Sequence, residues 1–366
     1  MKNKSICWVT PDYFLDTDAY IMRYLPDYFH IHWIITKKKD SQLSYSWLIE
    51  EINKKSSVRI EIYELDGKSY GLKGLRYFIK LQEKTRYADI VYRPSGFLYT
   101  LPLMILFGNK RNTIVPIHNV RTPKGGSWYF INKIYTGIAV RYFKNYVTFS
   151  QSQQHLLLSL NQTANVLYAP FMLKDYGKAT IKRKNNLVTF LSFGNIRRYK
   201  RIDVLIEAAQ HVFEETSINF RVIIAGSCPN WKEYQQLIKY PELFDTRIGR
   251  VMDEDIPNLF EESDYFVTPY QDIAQSGSLI VGINYNKPII ASKLEAFEEY
   301  VEDGKNGYLI KPADTDDLVR VMTYIVTHHQ TTYPKLKENQ RRMIAAKFDD
   351  KVIIRKYVDF LSEINL

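Results

Sequence analysis

The sequence predicts an α/β fold of two Rossmann-like, doubly wound domains facing a central cleft. Three observations predict it. Short runs rich in β-branched and aromatic residues alternate with amphipathic stretches of helical length, the pattern of a parallel sheet covered on both faces. The alternation occurs twice, in two series joined near 170–186, where "YGKATIKRKNN" is polar and charged. The chain has 366 residues, enough for two domains of roughly 150 to 200 each.

The first series opens with the strand-like runs "SICWVT" (5–10), "HIHWIIT" (30–36), "VRIEIYEL" (58–65), "DIVYRP" (89–94) and "TIVPIH" (113–118). Amphipathic "GLKGLRYFIKLQEKTRY" (71–87) lies between two of them, and "NYVTFS" (145–150) precedes a helical "SQQHLLLSL". The second series starts with "NLVTFLSFG" (186–194), a buried strand that stops at Gly194. In "RIDVLIEAAQHVFEE" (201–215), Val204, Leu205, Ala208, Ala209, Val212 and Phe213 recur at helical spacing on one face. "NFRVIIAG" (219–226), "DYFVTPY" (264–270), "PIIAS" (288–292) and "GYLIKP" (307–312) complete the strands, with helical candidates between.

Composition narrows the function classes. Apolar residues are 45% and charged residues 25%, so each half can bury a core of its own. The two cysteines, Cys7 and Cys228, have no redox or metal spacing, and the seven histidines show no His-Glu-x-x-His pattern. "MKNKSICWVT" breaks at Pro11-Asp12, too short for a secretory h-region. No run reaches the ~18 apolar residues of a membrane span, so the expectation is a cytoplasmic protein. The net charge of +10 suits a phosphorylated substrate, an acidic lipid or nucleic acid. No nucleic-acid-binding motif accompanies it.

Ligands of open α/β sheets bind at the carboxyl ends of the strands, and two loops there suit an anion. After Gly194 come Asn195, Arg197, Arg198 and Lys200, and then a helix start, whose dipole and unpaired N–H groups favour negative charge. Arginine adds a planar fork of donors and lysine a point charge. After "DYFVTPY" come Asp272, Gln275, Ser276, Gly277 and Ser278, with hydroxyl and amide donors and a glycine that lets backbone approach a ligand. Each loop also has an ordinary account: a solvated basic turn, and an N-cap in which Ser276 closes the helix.

"FGNIRRYKRIDVLIEA", "DEDIPNLFEESDYFVTPY", "QSGSLIVGINYNKPIIAS" and "EEYVEDGKNGYLIKPADTDDL", in this order and spacing, resemble the donor half of glycosyltransferase family 4 (glycosyl transferases group 1). "VPIHNVRTPKGG" (115–126) and "APFMLKDYG" (169–177) extend the likeness more thinly. The resemblance implies the GT-B architecture, with an acceptor domain over 1–175, a donor domain over 176–349, and a C-terminal helix at about 350–366 packing back on the first. It implies retaining, metal-independent transfer of a sugar from a nucleotide-diphosphate donor, with no cofactor.

By the same resemblance, Arg197 and Lys200 grip the donor diphosphate, and the Gln275–Gly277 loop touches it through main-chain N–H groups. Arg247 and Gly249 to Met252, among them Arg250 and Val251, lie where the base is seated. His118 matches the histidine facing the donor sugar, where it positions the sugar and is not a nucleophile. Ile273 and Val281 stand where many members carry two glutamates, leaving those roles vacant or filled by Asp272 or Glu295.

"DTD" (16–18) resembles the metal motif of the other glycosyltransferase architecture, but it precedes helical "AYIMRYL", so Thr17 or Asp18 is expected as an N-cap. The stretch 128–146 interleaves Trp128, Tyr129, Phe130, Tyr135, Tyr142 and Phe143 with Lys133, Arg141 and Lys144. That composition suits a peripheral contact with anionic membrane and a lipid-linked saccharide acceptor, or a core helix with snorkelling lysines. The expected function is a glycosyltransferase of bacterial surface polysaccharide biosynthesis. A nucleotide-sugar epimerase and a non-catalytic two-lobed binder are the alternatives.

Overall fold

The computed structural model describes residues 4–39, 41, 43, 45–96, 98–121, 129–183, 186–273 and 275–364. The chain divides into two compact units, Met1–Met172 with Asp349–Leu366, and Leu173–Phe348.

The first unit begins β1 (Ser5–Pro11), α1 (Leu15–Met22), β2 (His30–Lys38), α2 (Ser46–Asn53), β3 (Val58–Leu65). It continues α3 (Gly71–Lys84), β4 (Ile90–Tyr92), α4 (Thr100–Phe107), β5 (Thr113–Ile117), α5 (Tyr129–Tyr142). It closes with β6 (Asn145–Thr148), α6 (Gln151–Leu160) and β7 (Asn165–Tyr168). The seven strands are all parallel, in the order β3-β2-β1-β4-β5-β6-β7. Buried on both faces, the central strands are continuous apolar runs; β1 buries Ile6, Cys7, Trp8 and Val9.

The second unit runs β8 (Thr189–Phe193), α7 (Ile202–Thr216), β9 (Arg221–Gly226), α8 (Trp231–Gln235), β10 (Phe244–Ile248), α9 (Ile256–Glu261). Then come β11 (Tyr265–Thr268), α10 (Gly277–Asn284), β12 (Ile289–Ser292), α11 (Glu295–Glu298), β13 (Gly307–Ile310) and the long α12 (Thr315–Lys347). Its parallel sheet has the order β10-β9-β8-β11-β12-β13. The expected apolar face of α7 is realised: Val204, Leu205, Ala208, Ala209 and Val212 are buried in the core and Phe213 packs on its margin. The last helix, α13 (Asp350–Glu363), belongs to the first unit, where Lys4 Nζ donates to the carbonyls of Ser362 and Ile364 and Tyr24 OH to Asp350.

In each sheet the strand order reverses once, between β1 and β4 and between β8 and β11. These are the switch points where connections leave to opposite sides and open a crevice at the carboxyl ends. The two anion-suited loops of the sequence follow β8 and β11, so they flank the switch point of the second sheet.

Two expectations are corrected. Neither Thr17 nor Asp18 caps α1: the helix begins at Leu15, after a 3-10 turn at Asp12–Phe14, with Phe14 at the cap position. Asp18 lies inside the helix, 3% exposed, accepting from Trp8 Nε1 at 3.0 Å and Thr10 Oγ1 at 2.6 Å. Those two donors, reaching across from β1, turn the carboxylate inward. Burial pushes its pKa up to about 7, although the hydrogen bonds from Thr10 and Trp8 oppose the rise. The strand series also lacked β7 and β10. Both are edge strands with half-exposed faces, so neither shows the unbroken apolar run of an interior strand.

Candidate functional site

Gly194 ends β8 at φ +112 and its N–H donates to Ala225 O at 3.0 Å. A Cβ there would lie 3.2 Å from Lys200 Nζ and 3.4 Å from Ser278 Cβ, so the two predicted loops meet over this glycine. Neighbouring Gly226, at φ +136, has Gly194 O where a side chain would stand, 2.1 Å from the Cβ position. The β8 and β9 ends are thus pressed together by residues without side chains.

Lys200 is 7% exposed, closing the short 3-10 turn Arg198–Lys200. Its ammonium sits 5.3 Å from the centroid of the Tyr270 ring. Among the described residues it has no carboxylate partner. Tyr270 OH is 3.0 Å from Ser278 Oγ, which is 3.1 Å from Ser276 Oγ. Gln271 N–H donates to Tyr199 O at 2.8 Å, tying the loop after β11 to the turn that carries Lys200.

Ser276 caps α10 as the ordinary account expected, its Oγ accepting from Leu279 N–H at 3.3 Å. The capping does not exhaust the helix end. Ser276 Oγ and Ser276 O take the N–H groups of Leu279 and Ile280, and those of Gly277 and Ser278, at the head of the dipole, have no acceptor among the described residues. A Cβ on Gly277 would meet nothing within 4 Å, so space opens in front of these donors. A buried cation, hydroxyls and a helix N-terminus around open space can hold an anion.

The other predicted residues divide. Arg197 is exposed and its Nη1 donates to Ile196 O at 3.1 Å. Asn195 is exposed beside it, and Asp272 and Gln275 are half-buried in the β11 loop. Arg198 stands away from the group, pairing with Glu233 at 3.6 Å. Arg247 is bound into an ion-pair network with Asp245 and Glu262, both at 2.8 Å, which Arg221 shares. Its guanidinium is committed there, and those carboxylates drive its pKa up while their own fall. Beside it, Gly249, Arg250 and Val251 line an open pocket of about 630 Å³ together with Ile181, Asn258 and Leu259. Met252 follows, 45% exposed.

Val281, at one vacant glutamate position, is buried on α10; Ile273 is half-buried. Glu295 is exposed at the start of α11, after β12. In the first unit, His118 follows β5. It is stacked on Phe14 at 4.0 Å between centroids and tilted against Phe149 at 4.4 Å. Residues 122–128, which complete the His118 motif and include Trp128, lie outside the described residues. No group of three His, Cys, Asp or Glu able to hold a metal occurs among the described residues. Tyr270, the ring beneath Lys200, has no role in the reading of the sequence; its signal is an aromatic placed just past a buried strand.

Residues 177–343 match the model of the family Glycosyl transferases group 1. That match spans most of the second unit. The whole chain shares its fold with solved GT-B glycosyltransferases. A glycosyltransferase from Rickettsia africae superposes with a TM-score of 0.74 over 100% of this chain and 99% of that one, at 19% identity. Anabaena HepE, solved in complex with UDP and glucose, gives 0.72 over 98% and 100%, at 16% identity. Sucrose-phosphate synthase from Thermosynechococcus elongatus gives 0.74 over 98% of each chain, at 12% identity. Comparison with curated proteins by sequence gives no match. The Gly194–Lys200 turn and the Tyr270–Ser278 loop both fall inside the stretch matched by the group 1 model.

Proposed function

We propose that the protein is a retaining, metal-independent hexosyltransferase that takes a sugar from a nucleotide-diphosphate donor. The acceptor is a saccharide or lipid-linked saccharide of bacterial surface polysaccharide biosynthesis, and the enzyme works in the cytoplasm, held peripherally on an anionic membrane. One observation carries the donor side. Among the described residues, Lys200 is a buried ammonium without an acidic partner, beside N–H groups of α10 that have no acceptor. Burying an unpaired charge costs several kcal/mol, and a diphosphate in front of Gly277 would offset that cost.

Cleavage of the glycosyl–phosphate bond leaves negative charge on the departing diphosphate. Lys200, the Gly277 and Ser278 N–H groups and the exposed fork of Arg197 are the donors assigned to that charge. Lys200 and the two N–H groups are held by the fold before reaction, so they stabilise the transition state with little reorganisation. Gly194 and Asn195 line the approach, and Asp272, Gln275 and Ser278 supply hydrogen bonds to the sugar side. The main chain of Arg250, Val251 and Met252, at the rim of the 630 Å³ pocket, is assigned to the base. His118 is assigned a hydrogen bond that positions the sugar.

HepE was solved with UDP, so UDP-sugars are the first donors to try. The expected result is that UDP or another nucleoside diphosphate raises the melting temperature, since it binds only the folded state. Sugar release or transfer should then be lost in an Arg197→Ala/Lys200→Ala variant. Undiminished turnover by that variant would remove the reading.

A further inference from the structure

Between Asp89 and Asp175 the chain contains nine Lys and Arg residues and no Asp or Glu, against a net charge of +10 for the whole sequence. The excess charge of the protein is therefore concentrated in one segment of the first unit, the one that carries α4, β5, α5, β6, α6 and β7. The outer side of that segment is apolar as well as basic. On α5, Phe130 is 76% exposed, Ile134 59% and Ile138 45%; on α4, Leu106 is 71% and Phe107 68%.

At ~100° per residue, Phe130, Ile134 and Ile138 fall within an arc of about 80°, with Arg141 among them. The opposite side of α5, Ala139 and Val140, is buried in the core, as is Phe143 just beyond the helix. Tyr135 OH donates to Leu98 O at 3.1 Å and Tyr142 OH to Ile105 O at 3.0 Å, which clamps α5 to the α4 segment. Lys110, Arg111, Lys133, Arg141 and Lys144 are exposed around this face, and none pairs with a carboxylate among the described residues.

We propose that the α4–α5 face docks on an anionic lipid bilayer, its apolar side chains entering the acyl boundary and its lysines and arginines meeting headgroup phosphates. The charge pattern selects this occupant. A second copy of the same face would bring five unpaired cations against five. A nucleic acid would use the cations but gain little from isolated aliphatic side chains at their centre. Among the described residues no helix is long and apolar enough to cross a membrane, so the contact is peripheral. The inference rests on the membrane part of the proposed function and is independent of the donor chemistry.

The test is flotation of the full chain with vesicles of phosphatidylcholine alone and of phosphatidylcholine with phosphatidylglycerol, at low and high salt. Binding is expected to the phosphatidylglycerol vesicles and to weaken with salt. Lys133→Gln/Arg141→Gln/Lys144→Gln should lower it by about fivefold per charge, on the order of a hundredfold together. Phe130→Ser/Ile134→Ser/Ile138→Ser should lower it at least about tenfold with unchanged circular dichroism, because none of the three is core. Absence of vesicle binding at low salt overturns the proposal. So does binding unaltered in both triple variants, binding of duplex DNA without binding of vesicles, or a dimer that the serine variant dissociates. Nucleoside-diphosphate binding measured on the same samples keeps this failure distinct from failure of the donor site.

Discussion

Each unit buries a charge near the carboxyl side of its sheet, and the two charges are treated in opposite ways. Asp18 in the first unit is enclosed, 3% exposed, with Trp8 and Thr10 both donating to it. Lys200 in the second unit has an aromatic face, a hydroxyl chain nearby and an open space bounded by a helix end. The first is saturated by its own fold and answers only to pH. The second is left to be completed by something else. Burial of a charge therefore does not by itself mark a ligand site; what marks it is which partners the fold withholds.

The comparison can be broken most severely at Lys200. Replacing Arg197 and Lys200 together by Ala should cost at least about 10³ in turnover, since one such donor is often worth 10²–10³. The melting temperature should hold or rise, because an unpaired buried ammonium is removed. A fall in turnover matched by a fall in melting temperature would mean that Lys200 is structural, like Asp18.

The next effect belongs to Asp18. Its folded pKa, about 7, lies above the ordinary 3.8, so between those values the folded state holds more protons than the unfolded one. Stability must then fall as pH rises through that window and level off above it. Asp18→Asn removes the titration. Urea unfolding should show variant and wild type close near pH 4 and diverging up to pH 7, with the variant more stable by at most roughly 4 kcal/mol. A constant difference across that range would show that Asp18 does not titrate there.

Two glycines sharpen the contrast on a smaller scale. Gly226→Ala sets a Cβ against Gly194 O at a left-handed φ, and should cost on the order of 2 kcal/mol in unfolding free energy while displacing the Lys200 loop. Gly277→Ala meets open space, so stability should change by less than about 0.5 kcal/mol. Nucleoside-diphosphate affinity should nonetheless drop several-fold, because the methyl occupies the approach to the N–H groups. Isothermal titration of both variants checks this; unchanged affinity in Gly277→Ala would place the ligand elsewhere.

What was legible in the sequence follows the range of the interactions. Interior strands and the α7 face announce themselves locally, since burial on one or both sides fixes their apolar pattern, and so the loops after β8 and β11 could be found. The edge strands β7 and β10 carry no such pattern. The capping expectation for Asp18 used only its neighbours in sequence, and the Trp8 and Thr10 donors that overrode it come from another strand. Arg247 looked available because Glu262 lies on a different element. "RRYKR" reads equally as an anion-suited loop or a solvated turn, and apart from the family resemblance nothing in it distinguishes buried Lys200 from exposed Arg198; the Tyr270 ring that covers Lys200 is 70 residues further on.

The most direct measurement is the affinity of the best-binding nucleoside diphosphate, among UDP, GDP, ADP and TDP, for wild type and for Lys200→Met. A folded, equally stable Lys200→Met protein whose affinity has dropped about a hundredfold, with the parent nucleoside little affected, is the predicted result. Equal diphosphate affinity in the two proteins would contradict the account, for the ammonium would then be buried without receiving the phosphates.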